Sequence, residues 1–201
     1  LLGDLIVNGD FESGSTGFST QYVPGTGGAW GLLSNPGQYA ITTSPALAHN
    51  NFTPCGDHTS GTGNMIVVNG SSVPNTSVWC QTVSVSPNTS YDFSCWVSNA
   101  LTDPNVGILQ FYVNGVAIGS VFSPTVLGCQ WVQYSDSWNS GALTSADLCI
   151  VNQSIAGSGN DFCLDDISFG PTCVASDTMI LTVEANSQIV TTTDPSCALL
   201  M

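Results

Sequence analysis

Two adjacent carboxylates, Asp165 and Asp166, stand inside the apolar run NDFCLDDISF of a chain that has no lysine and no arginine. An unpaired buried carboxylate is expensive, so it acquires a partner or shifts its pKa until it is neutral. Amines and guanidinium groups are missing, which leaves backbone hydrogen bonds and metal ions as the recourse. A fold of this chain must do without the ordinary salt bridge.

The same absence excludes several functions. With a formal charge of -14 and no lysine or arginine, the chain cannot neutralise phosphates, so nucleic acid is no partner. An anionic lipid surface fails for the same reason. No apolar run approaches the roughly 20 residues of a membrane span, so no membrane insertion is expected. Charged residues make up only 7%, against roughly 25% in ordinary domains, and basic partners or metal ions are favoured. The hydrophobic fraction of 42% over 201 residues is enough to bury a core. The Leu1-Leu2-Gly3 start has neither an initiator Met nor the basic region of a signal peptide, which predicts a piece of something longer.

Apolar residues nowhere recur every three or four positions over a long stretch, while Gly, Pro and Asn-Ser punctuation returns throughout. Short strands are predicted at Leu5-Val7, Gln38-Thr42, Asn64-Val68, Val78-Val85, Tyr91-Ser98, Gly107-Val113, Val116-Val121, Trp131-Trp138, Ala146-Asn152 and Asp161-Phe169. Asn114-Gly115 between two alternating runs is a strong hairpin signal, and VSPNTSY is a second turn. Strands of this length and spacing predict an all-β jelly-roll β-sandwich of two antiparallel sheets. It occupies residues 1–170. Residues 171–201 read as a linker and β-hairpin, with alternating runs at Met179-Val183 and Ile189-Thr193, and could begin a following module.

Eight cysteines, Cys55, Cys80, Cys95, Cys129, Cys149, Cys163, Cys173 and Cys197, form no Cys-x-x-Cys pair, which speaks against zinc. Disulfides in an oxidising setting are expected, in pairings that sequence does not choose. Cys80 and Cys95 flank an expected hairpin, but the apolar phase sets Cys95 opposite Gln81, so the two are not paired. Cys173 and Cys197 could bracket the last segment.

Taken in order, LIVNGDFESGSTGF, DHTSGTGNMIVVNG, VWCQTVSVSPNTSYDFSCWVSN, LQFYVNG, WNSG and GNDFCLDDISF resemble the carbohydrate-binding-module-like (galactose-binding-like) jelly-roll domains. More narrowly, they resemble those of secreted and cell-surface proteins of Bacteroidota, including gliding-motility adhesin-like proteins. The resemblance implies a non-catalytic sandwich that brings its first and last strands together and holds a calcium ion (Ca2+) near their junction. Carried to matching positions, the implied ligands are Asp10 or Glu12 with Asp165 or Asp166. Cys80, Cys95, Cys149 and Cys163 depart from the pattern, at strand positions where relatives more often carry small or apolar residues.

The residues bear on that site independently. Phe162 and Leu164 share one parity and Ile167 and Phe169 the other, so the apolar face changes phase across Asp165-Asp166, which predicts a β-bulge. Clustered carboxylates and freed carbonyls suit calcium; the bland alternative leaves Asp165 in solvent and Asp166 on backbone N–H groups. Asp57-His58-Thr59-Ser60-Gly61-Thr62-Gly63-Asn64 is a second acidic stretch, read mainly as a structural loop. His49 and His58, with no metal-ligand spacing, read as ordinary loop residues.

No nucleophile elbow is present, and Asp165 and Asp166 on a regular strand would face opposite ways, so no enzyme is expected. Glycan binding stacks aromatic faces on sugar rings. Tyr22, Trp30 and Tyr39, in Gly-rich and Pro-rich surroundings, are the candidates, either exposed for ligand or capping the core; Trp79, Trp96, Trp131 and Trp138 read as packed strand residues. The function expected is an extracellular adhesion or glycan-binding module at the cell surface, with glycans or neighbouring copies as partners. The alternative is a structural repeat of an extracellular filament. Five Asn-x-Ser/Thr sequences, at Asn51, Asn69, Asn75, Asn88 and Asn152, leave glycosylation open.

Overall fold

A computed structural model of the protein describes residues 3–172. Cys173, Cys197 and the expected C-terminal hairpin lie outside the described residues.

Ten strands and one short helix follow in order: β1 (Val23–Pro24), β2 (Gln38–Thr42), α1 (Pro45–Ala48), β3 (Met65–Asn69), β4 (Thr76–Ser84) and β5 (Ser90–Asn99). β6 (Leu109–Val113), β7 (Val116–Phe122), β8 (Val132–Asn139), β9 (Ser145–Asn152) and β10 (Phe162–Pro171) complete the elements among the described residues. They form a six-stranded sheet ordered β1-β2-β3-β10-β5-β8 and a four-stranded sheet ordered β4-β9-β6-β7. The chain crosses from sheet to sheet between β3 and β4, β4 and β5, β5 and β6, β7 and β8, β8 and β9, and β9 and β10. This is the jelly-roll sandwich expected. One detail differs: the two-residue β1 runs parallel to β2.

Alternation builds the core. On β5, Tyr91, Phe93, Cys95 and Val97 are buried between the sheets, whereas Asp92, Ser94 and Trp96 face outward. From the other sheet Phe111 meets Phe93 in a stack with centroids 3.6 Å apart. Burial of each such ring contributes about 1.5–3 kcal/mol. Asn114 and Gly115 take φ of 51° and 77°, the left-handed pair of a type I′ turn, and join β6 to β7 as predicted.

Three expectations are corrected. β4 and β5 lie in different sheets, so VSPNTSY turns the chain across the sandwich and Cys80 and Cys95 flank no hairpin. Cys80 instead faces Cys149 across β4 and β9 and is bonded to it, and Cys55 is bonded to Cys129. Cys95 and Cys163, named as disulfide candidates, are free buried thiols packed in separate clusters on opposite faces of the six-stranded sheet. Third, Leu5-Val7 is not a strand; only single bonds such as Leu5 N–H to the Phe169 carbonyl (2.8 Å) hold it along β10.

Among the described residues no helix is long and apolar enough to cross a membrane.

Candidate functional site

A loop meets the two aspartates. β10 shifts register against β5 between Asp165 and Ser168, and Asp166 takes φ of 47°, so the predicted bulge is present. It turns both carboxylates toward residues 57–59 and not to opposite faces. Asp165 is fully buried. Its Oδ2 accepts the N–H groups of His58 (2.8 Å) and Thr59 (3.4 Å), and its Oδ1 accepts the Asp166 N–H (2.9 Å). Asp166 is half-buried; its Oδ1 accepts the Thr59 hydroxyl at 2.5 Å and its Oδ2 faces His58 Nδ1 at 2.6 Å. Neither role of the bland alternative holds: Asp165 is buried on backbone donors, and Asp166 is met by the side chains of Thr59 and His58.

His58 is no ordinary loop residue. Its ring stacks on Trp96, with centroids 3.7 Å apart, and meets the edge of Trp131. Its Nδ1 is the only basic side-chain nitrogen that meets a carboxylate among the described residues. Burial, and then the neighbouring Asp166 charge, push the Asp165 pKa up to about 7 against the pull of its N–H donors. Asp57 closes the loop from within, accepting the Ser60 and Gly63 N–H groups at 2.8 Å.

The four acids put forward as calcium ligands are not gathered into one set. Asp10 and Asp166 share a groove of about 470 Å³ with Trp96, whereas the exposed Glu12 accepts the Asn64 N–H at 2.5 Å. Asp165 and Asp166 are met by hydrogen donors. Among the described residues no group of three or more His, Cys, Asp or Glu is placed to hold a metal ion. One near approach stands out: an atom at the Cβ position of Gly63 would lie 2.2 Å from Glu12 Oε1 and 3.1 Å from Asp57 Oδ2.

The three aromatic candidates separate. Tyr22, 3% exposed, accepts the Ser71 N–H and the Asn152 amide at its hydroxyl, both at 3.1 Å. Tyr39, 8% exposed, is packed in the sandwich core. Neither offers a face to a ligand, because β2 and the end of the sandwich absorb them as apolar surface. Trp30 is 53% exposed. It stacks on His49, and His49 on Phe52, with centroids 6.3 and 4.5 Å apart.

That stack walls a cleft of about 360 Å³ at the loop end of the sandwich, lined also by Asn51, Asn69, Asp103 and Asp161. Asp161 directly precedes β10, is 7% exposed, and accepts the Gly70 N–H on Oδ1 at 3.0 Å. No described residue donates to its Oδ2. Burial pushes its pKa up to about 7; the Gly70 N–H opposes this and the Asp103 charge adds to it. Asp103 Oδ1 accepts the Asn105 N–H at 2.7 Å. Asn69 spends its amide N–H on the Leu33 carbonyl at 2.7 Å. His49 Nδ1 accepts the Asn51 N–H at 3.2 Å, and burial holds its pKa down. Sequence reasoning found Trp30 but missed His49, Asn51, Asp103 and Asp161 as neighbours, since they come from three other loops and share no motif.

No family model matches the chain, and no curated protein matches it. Solved structures do. The xylan-binding CBM22-1 domain of Paenibacillus barcinonensis Xyn10C is 14% identical, with a TM-score of 0.55 over 86% of this chain and 97% of that one. A cyclase from Fischerella sp. TAU, in complex with 4-(1H-indol-3-yl)butan-2-one, is 11% identical, with a TM-score of 0.60 over 86% of this chain and 98% of that one. An α-L-arabinofuranosidase, MgGH51, matches at 16% identity and a TM-score of 0.52, over 85% of this chain and 27% of that one. At such identities the likeness is one of fold. The protein has a jelly-roll β-sandwich fold, a scaffold that binding domains and enzymes both use.

Proposed function

We propose that this domain is a non-catalytic glycan-binding module that works outside the cell, with the Trp30 cleft as its site. The observation that carries the reading is an exposed tryptophan face in a concave site beside amide and carboxylate side chains, the composition that holds a sugar ring and its hydroxyls. Two disulfides support an extracellular setting. Against catalysis stand Asp165 and Asp166, whose oxygens are occupied by loop donors. A glycan array is the test: hits that disappear in Trp30→Ala support the reading, and silence across a broad array removes it in favour of the structural filament repeat.

Calcium belongs to the same proposal. It rests on the family resemblance, since Glu12 and Asp57, like Asp165 and Asp166, are met by N–H donors. A melting curve with and without EGTA decides: a lower melting temperature in chelator supports a bound ion, and an unchanged one removes it.

A further inference from the structure

The polar lining of the Trp30 cleft is unbalanced. Asp161 Oδ2 has no described partner although its residue is more than nine-tenths buried, Asp103 stands beside it, and Asn69 has already spent an amide N–H inside the protein. The one basic side chain in the lining, His49, accepts the Asn51 N–H on Nδ1, which leaves the neutral ring a single N–H donor at Nε2 and no charge. Two carboxylates thus stand where a ligand would sit, with no fixed positive charge in the lining to balance them. A neutral sugar hydroxyl brings one donor together with lone pairs that need donors in return, whereas an ammonium group brings three donors and no acceptor. Uronates, sulfated sugars and sialic acids would bring charge of the wrong sign to a chain without a single lysine or arginine and a formal charge of -14.

Resting on the glycan-binding reading of this same cleft, we infer that its ligand class is the amino sugars, oligosaccharides of glucosamine with free amines. The pyranose ring lies on the Trp30 face and an ammonium group points at Asp161 and Asp103. The attraction gains from the partial burial of the acids, since a charge pair out of bulk water is screened less. The upward pKa of Asp161 fits a buried carboxylate that lacks a cation.

The test is calorimetric titration at near-physiological salt with four tetrasaccharides: glucosamine, N-acetylglucosamine, xylose and galacturonic acid. The glucosamine oligomer is expected to bind about tenfold or more tightly than its N-acetylated form, and the galacturonate not at all. Trp30→Ala and Asp161→Asn should each weaken it by about tenfold or more. Asp103→Asn, on a half-exposed side chain at the cleft, repeats the Asp161 test should that variant fold poorly. Asp92→Asn removes the same charge on β5, seven residues from the cleft end of the strand or about 23 Å away, and should leave binding unchanged. Equal losses in Asp92→Asn and Asp161→Asn would mean unspecific attraction to a polycation and overturn the inference, as would a Trp30→Ala variant that binds normally. Neutral oligomers that bind through Trp30 as tightly as glucosamine would sink the amino-sugar assignment and leave glycan binding standing. No binding by any of the four, with a silent array, would remove both.

Discussion

Gly9 shows how closely the first segment is laid on the last strand. The Ile167 N–H donates to the Gly9 carbonyl at 3.0 Å, and a Cβ at Gly9 would meet the Ile167 carbonyl oxygen at 1.9 Å. Backbone on both sides leaves nothing to yield, so Gly9→Ala is expected to cost about 2 kcal/mol or more. In a domain of this size that lowers the melting temperature by about 4 °C or more, which a thermal scan reads directly. His58 is the second decisive residue. Replacing it by Ala leaves an Asp166 oxygen without its donor and strips the cover from Trp96. The expected loss is about 1–3 kcal/mol, and chemical denaturation of H58A measures it. The Asp165 N–H bonds come from the backbone and survive the change.

Among the elements, β4 and β9 are fastened twice, by their ladder and by Cys80–Cys149 between directly paired positions with Cα atoms 4.2 Å apart. The bond closes a separation of 69 residues that spans β5 to β8, so it restrains much of the unfolded chain. Removing it in a Cys80→Ala, Cys149→Ala double variant should cost about 2–4 kcal/mol, measured as a shift in denaturation midpoint. Cys95 and Cys163 behave otherwise. Their thiol pKa values are raised by burial, and the thiolate is the reactive form. Peptide mapping after alkylation should find both unlabelled in the native protein and labelled once it is unfolded. On β10 the bulge matters most, because it lets one strand present an apolar face to the core on either side of two carboxylates.

For the whole molecule, the buried acids set the response to pH. Asp161 and Asp165 have folded pKa values of about 7, well above the ordinary carboxylate range. The folded state therefore holds their protons more tightly than the unfolded chain does. Their contribution to stability is complete below about pH 4 and is lost as pH rises through about 7. Self-repulsion of a chain with formal charge -14 acts in the same direction. Asp57 opposes both: burial raises its pKa, but the Ser60, Gly63 and Thr62 donors outweigh this and hold it low, so its contribution disappears only when pH falls below the ordinary carboxylate range. The melting temperature is expected to be higher at about pH 5 than at about pH 8, and Asp165→Asn should flatten that dependence. A melting temperature that rises with pH across this interval would contradict the assignment.

Much of the architecture was legible in the residues because strands announce themselves locally. Period-two alternation, Asn114-Gly115 and the phase change at Asp165-Asp166 are properties of a few consecutive residues, and all three were realised in the fold. The missing cations were equally plain, and they showed that the two aspartates needed unusual partners. Sequence could not say which ones. Tertiary structure brought the 57–59 loop over the bulge, placed β4 and β5 in opposite sheets, joined Cys80 to Cys149 and buried Tyr22 and Tyr39 while leaving Trp30 outside. Each of these depends on contacts between residues tens of positions apart, set by how the two sheets stack. Local propensity and hydrophobic phase carry no information about that. The cleft is the extreme case: Trp30, His49, Asp103 and Asp161 become one site only because four loops end at the same rim of the sandwich.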